Sequence, residues 1–167
     1  YGAGGMVPRL GTHQRGGGNG NTPMHQYSGA DIKRRLENLA DEDGDPYEGI
    51  LFDFTNPVTG GPVFTTLGYS AQLLRPGEAT LPKRETASTL YCCLKGRGTT
   101  EIAGQRFEWR ENDIFVVPNH LWRHHTNGDG NNPAILYGVT DAPLLDKLGH
   151  YRAQGETRRG DIVELGR

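Results

Sequence analysis

The sequence predicts an all-β domain of the sandwich, jelly-roll or barrel class, with one helix in front of it and a short helix behind. Three observations carry this. From residue 48 onward, short runs alternate apolar with polar residues, as strands with one buried face do. Turn residues (Gly, Pro, Asn, Asp) interrupt those runs about every 8–12 positions, the rhythm of a many-stranded antiparallel fold. Only one stretch before residue 48 has helical periodicity.

Taken in order, residues 1–28 are rich in Gly and Asn and form a linker or surface arm, because such a composition cannot build a core. Their glycines do not make a phosphate loop, which needs a Lys and a Ser/Thr at fixed offsets after a strand. His13 and His25 lie in this arm without a reachable partner. Residues 29–47 are a helix and its connector. Ile32, Leu36 and Leu39 repeat at i, i+4 and i+7 over 29–40, and Asp31 favours the helix start. The acidic turn Asp41–Asp45, with Gly44 and Pro46, ends it. A barrel follows over 48–154. Its expected strands lie near 49–54, 67–75, 89–95, 98–103, 106–109, 113–118, 121–127 and 133–140. A short helix is expected at Pro143–Leu148, with Gly149 as its stop. The tail, 155–167, is charged and has no clear periodic element.

At 167 residues the chain can bury one sizeable core, and its net charge is −2. No basic patch points to nucleic acid, and no apolar run is long enough to span a membrane. Cys92 and Cys93 are adjacent, so on a strand they face opposite sides and do not bridge. They read as small packing residues, and a reducing cytoplasm is the expected compartment. The chain opens on Tyr1 without an apolar leader segment, as a piece of something longer would.

Two stretches carry the chemistry. The first runs from Gly77 through Lys83, Glu85 and Thr89 to Gly96. The second runs from Asn112 through Pro118, His120 and Arg123 to Asn127. They resemble the two cupin motifs, in which a His-x-His pair, a carboxylate and a third histidine hold a divalent metal inside a barrel. His-x-His works there because alternation puts both rings on one face of a strand, and open positions remain for substrate and dioxygen. Gly77, Gly96, Pro118 and Asn127 stand at the motif positions. The His-x-His pair, however, is Lys83 and Glu85, the carboxylate position is Thr89, and the third histidine is Arg123. Lys and Arg are cations that repel a metal ion, so no metal ligand set and no catalytic residue is assigned in this chain.

The resemblance widens beyond the motifs. Asp45–Gly49, Thr55–Pro62, Leu73–Gly77, Phe115–Pro118, Trp122 and Val139–Pro143 are similar to the C-terminal half of gentisate and salicylate 1,2-dioxygenases. Tyr1–Gly5 is similar to the linker that follows the N-terminal cupin in those enzymes. The resemblance implies a cupin double-stranded β-helix and a two-cupin parent that forms dimers or tetramers. It implies Fe(II) and a hydroxybenzoate, an aromatic carboxylate, in the N-terminal cupin, where dioxygen opens the ring. In this chain it implies a metal-free, structural barrel.

Lys83, Glu85 and Arg123 are expected to face one interior, with Glu85 as the counter-charge. Two cations and one anion leave a positive surplus, so an ion-pair cluster and an anion pocket both stay open. So does a shifted metal site built from Glu85, His120 and His125. The alternatives are accordingly a stand-alone cupin that binds a small carboxylate, or a one-barrel metalloenzyme. Lys83, Glu85, Thr89, Arg123 and His125 are read together as a degenerate cupin pocket, with His125 a hydrogen-bonded residue of the barrel interior on the face of Arg123. Trp122 and His124 take the other face. Tyr91, Phe107, Trp109 and Phe115 are read as core or interface.

Overall fold

The computed structural model describes residues 26–166. The Gly-rich arm before residue 26, with His13, His25 and Tyr1–Gly5, lies outside the described residues. Helix α1 spans Gly29–Asn38. The strands follow as β1 Ile50–Asp53, β2 Gly68–Leu74, β3 Lys83–Glu85, β4 Thr89–Lys95, β5 Arg97–Ile102 and β6 Gln105–Arg110. Then come β7 Ile114–Val117, β8 Arg123–Asn127, β9 Ala134–Thr140, helix α2 Ala142–Lys147, β10 Ala153–Glu156 and β11 Ile162–Glu164. Gly149 stops α2 at φ +71, as expected for a left-handed cap.

The strands form two antiparallel sheets, a jelly roll. One sheet runs β1-β2-β9-β4-β7 and the other β11-β10-β3-β8-β5-β6. The interior between them holds Leu74, Tyr91, Cys93, Ile102, Trp109, Val117, Ala134 and Leu136, with Phe115 packed against them. A second cluster lies on the outer side of the first sheet, where α1 lays Leu36 over Ile50, Ala71, Leu73 and Ile135. Strand β2 is therefore covered on both faces, with Leu73 under the helix and Leu74 inside the barrel. That is why its apolar run does not alternate. Complete burial of Leu36 contributes about 2 kcal/mol.

Local chemistry sets the corners. The β5–β6 hairpin closes through Ala103 (φ +49) and Gly104 (φ +80), the positive dihedrals that a two-residue turn matching strand twist requires. Asn112 (φ +73) and His120 (φ +61), both in the second motif stretch, take the left-handed backbone that glycine most readily adopts.

Three strands escaped the sequence pattern. β3 is Lys-Arg-Glu, with no apolar residue to mark it. β10 does alternate, but its inward residues are Ala153 and Gly155, too small to register as apolar. β11 is a fully exposed edge. The last two lie in and beside the tail that reads as aperiodic, and they extend the second sheet. The strand expected over 121–127 begins only at Arg123, with Leu121 and Trp122 in the irregular connection between the turn at Asn119–His120 and the strand.

Candidate functional site

The three residues standing at the metal-ligand positions do meet. β3 and β8 are neighbours, and Lys83 lies directly opposite Arg123. Alternation along β3 then puts Lys83 and Glu85 on the same inward side, facing Gly155 and Ala153 of β10. Gly155 is required there, because a β-carbon would sit 2.3 Å from the Tyr47 ring.

The centre of the cluster is a residue that sequence reasoning missed. Glu48 stands in the turn before β1 and is 8% exposed. Asp45 shapes this turn: its Oδ1 accepts the backbone N–H groups of Tyr47 (2.7 Å) and Glu48 (3.0 Å). Its carbonyl accepts from Gly49 N–H at 2.7 Å. Gly49 has φ +69 and lies against the Leu73 carbonyl, which leaves no room for a side chain. The turn thus swings Glu48 inward. Glu48 Oε1 receives Arg123 Nη2 at 2.7 Å and Lys83 Nζ at 2.8 Å. Gln72 Nε2 donates to the Glu48 carbonyl at 2.7 Å and to Oε2 at 3.3 Å. The only available signal was Glu48's place inside the Asp45–Gly49 stretch that resembles the ring-cleaving dioxygenases. No spacing rule links it to the motif.

Glu85 is the second counter-charge, not the main one. Lys83 Nζ lies 3.4 Å from its Oε2, which also accepts Tyr151 O–H at 2.8 Å. Burial by itself would raise the Glu48 carboxyl, but Arg123 and Lys83 outweigh it and hold it at about 2. Burial would lower Lys83, yet Glu48 and Glu85 push it above its ordinary value. Arg123 is 3% exposed and is held charged in the same way.

A cavity of about 320 Å³ opens beside this cluster. Lys83, Glu85, Thr89 and Arg123 line it, together with Glu48, Gln72, Tyr91 and Tyr151. Asp45 and Asp53 line it too. Among the described residues the positive surplus expected from the sequence is gone, because Glu48 joins Glu85 against Lys83 and Arg123.

His125, expected in the same pocket as Lys83, Glu85, Thr89 and Arg123, is not among the described residues that line this cavity. It is fully buried, and its Nδ1 lies 2.7 Å from Thr100 Oγ1, which also accepts Trp109 Nε1–H at 2.9 Å. Its Nε2 has no hydrogen-bond partner, and its ring meets Tyr91 edge-on with centroids 4.9 Å apart. Burial, then the Arg123 charge, pushes its pKa well below the ordinary value, so the ring is neutral. Glu85, His120 and His125 do not converge. Among the described residues no group of three or more His, Cys, Asp or Glu side chains is arranged to hold a metal. His120 donates its backbone N–H to the Glu85 carbonyl at 2.7 Å, and Arg84 stacks over Trp122 at 4.7 Å.

The positions that would ligate iron do not fit one. Protonated Lys83 and Arg123 have no lone pair to give, and Glu85 alone cannot form a ligand set.

A two-sheeted antiparallel barrel whose motif positions line its interior defines a cupin. No family model matches the chain. It is 41% identical to 5-aminosalicylate 1,2-dioxygenase of Comamonas sp over 140 residues, 83% of this chain and 37% of that protein. It is 36% identical to gentisate 1,2-dioxygenase of Haloferax sp over 132 residues, 78% of this chain and 36% of that protein. Salicylate 1,2-dioxygenase of Pseudoaminobacter salicylatoxidans, solved with gentisate, superposes with a TM-score of 0.71 at 27% identity. That match covers 79% of this chain and 37% of that one. The chain belongs with the gentisate and salicylate 1,2-dioxygenases as a cupin barrel, and it spans little more than a third of the length of the curated relatives it matches. No helix among the described residues is long and apolar enough to cross a membrane.

Proposed function

We propose that this barrel is the C-terminal, metal-free half of a two-cupin dioxygenase that opens the ring of a hydroxylated aromatic carboxylate. Its role is to brace a catalytic N-terminal cupin and to provide contacts in a homo-oligomer. The observation that carries this reading is the replacement of the cupin ligand positions by a neutralised ion cluster, Lys83 and Arg123 on Glu48 with Glu85 beside Lys83. Such a cluster holds β3, β8 and the Glu48 turn together without a metal.

A second feature supports a packing role. On the outer face of the first sheet, Leu90 pairs with Val116 and Cys92 with Ile114. Leu90, Leu94, Ile114 and Val116 are 39%, 49%, 65% and 52% exposed. An apolar sheet face of this kind suits contact with another barrel or subunit.

In the parent enzyme, Fe(II) would supply chelation of the substrate's hydroxyl and carboxylate and activation of dioxygen. This chain's residues hold neither. The test is to load the purified chain with Fe(II), measure bound iron, and assay oxygen uptake with gentisate and 5-aminosalicylate. The expected result is well under one iron per chain and no turnover. One iron per chain with ring cleavage would overturn the proposal.

A further inference from the structure

The cavity beside the ion cluster has no role in that reading, and its wall is chemically lopsided. Its two cations are already matched. Arg123 Nη2 and Lys83 Nζ both donate to Glu48 Oε1, and Arg123 Nη1 reaches the Tyr47 carbonyl at 3.4 Å. Several acceptors are not matched. Gln72 lines the cavity and is 1% exposed, yet its Oε1 has no hydrogen-bond partner. A buried carbonyl left this way keeps its desolvation cost, which a ligand donor would recover. Among the described residues Glu85 makes its contacts through Oε2, to Tyr151 and Lys83. Asp45 uses its Oδ1 for the turn amides.

Charge points the same way. Among the described residues Asp45, Glu48 and Glu85 against Lys83 and Arg123 leave a formal surplus of one negative charge on the wall. The rings of Tyr47 and Tyr151 stand among them, and aromatic rings favour cations. The volume, about 320 Å³, is that of a small-molecule site. A divalent metal is not the match, since no metal-holding group forms among the described residues.

We infer that this cavity binds a small organic ammonium compound, which donates N–H bonds to Gln72 Oε1 and the open oxygen of Glu85, and that it rejects carboxylates. The site stands whether or not the barrel belongs to a ring-cleaving parent, so its failure would leave that reading untouched.

Titration calorimetry on the purified chain tests it, with three probes of similar size: benzylamine, benzyl alcohol and benzoate. Benzylamine is expected to bind at least 10-fold tighter than benzyl alcohol, and benzoate not to bind. Glu85→Gln keeps the Tyr151 contact and removes one charge, and it should weaken benzylamine at least 5-fold. Amide and ring chemical shifts in the unmodified chain locate the probe independently of any variant. They should move at Gln72, Tyr91 and Tyr151. Benzoate binding as tightly as benzylamine would overturn the inference. So would no binding by any probe, or shifts confined to residues away from the cavity.

Discussion

Replacing Glu48 by Gln removes the one carboxylate within ion-pair distance of Arg123 among the described residues. Lys83 keeps Glu85, but Arg123 is 3% exposed and would be left as a buried, uncompensated charge. Breaking a buried pair from one side costs about 3–5 kcal/mol. A second route reaches the same size. The Glu48 carboxyl is held at about 2 in the fold against 4.5 as a free group, and at about 1.4 kcal/mol per unit this is about 3 kcal/mol of stability at neutral pH. In a domain of this size the loss lowers the Tm by roughly 6–20 °C.

The pH dependence gives the sharper assay. Because the folded pKa is depressed, the unfolded chain takes up the proton first. The contribution is complete above pH 4.5 and disappears as pH falls toward 2. Urea unfolding of both proteins at pH 7, 5 and 3 should therefore show a wide stability gap that narrows on acidification. A gap under about 1 kcal/mol at pH 7, or one that stays constant to pH 3, would refute the reasoning. The double variant Glu48→Gln/Arg123→Met should recover most of the loss, since apolar replacement of a buried pair is often neutral.

Three further outcomes are expected. Gly155→Ala puts a β-carbon into the Tyr47 ring and should cost about 1–3 kcal/mol in urea unfolding, with Tyr47→Ala removing the clash. Thr100→Val strands the Trp109 indole N–H and His125 Nδ1 and should cost about 1–3 kcal/mol, with a shift of the indole resonance reporting the lost bond. His125 should not titrate by NMR in the ordinary histidine range around pH 6.5. Because its folded pKa is depressed, the unfolded chain gains the proton first and the ring's contribution to stability falls as pH drops through 6.5. A His125 resonance that titrates near 6.5 would show an exposed ring.

Much of the fold was legible because it rests on local rules. The alternation over Thr89–Lys95, the helical spacing of Ile32 and Leu36, and Gly149 as a stop each depend on neighbours within a few residues. The motif positions were legible for the same reason. Period two along a strand puts Lys83 with Glu85, and Arg123 with His125, on one face each whatever the rest of the chain does.

What lay beyond the sequence depends on distant residues. Lys83–Glu85 is a strand only because β10 and β8 flank it, since Lys-Arg-Glu has no intrinsic bias toward one. Sequence alone placed Lys83, Glu85 and Arg123 in one interior but misjudged its charge, because Glu48 arrives from 35 residues before Lys83 on a turn shaped by Asp45 and Gly49. His125 shares a strand face with Arg123 yet belongs to a different polar network, because successive inward positions along β8 look into different depths of the barrel. Side-chain direction is a property of the strand, whereas the partner it meets is a property of how the two sheets close.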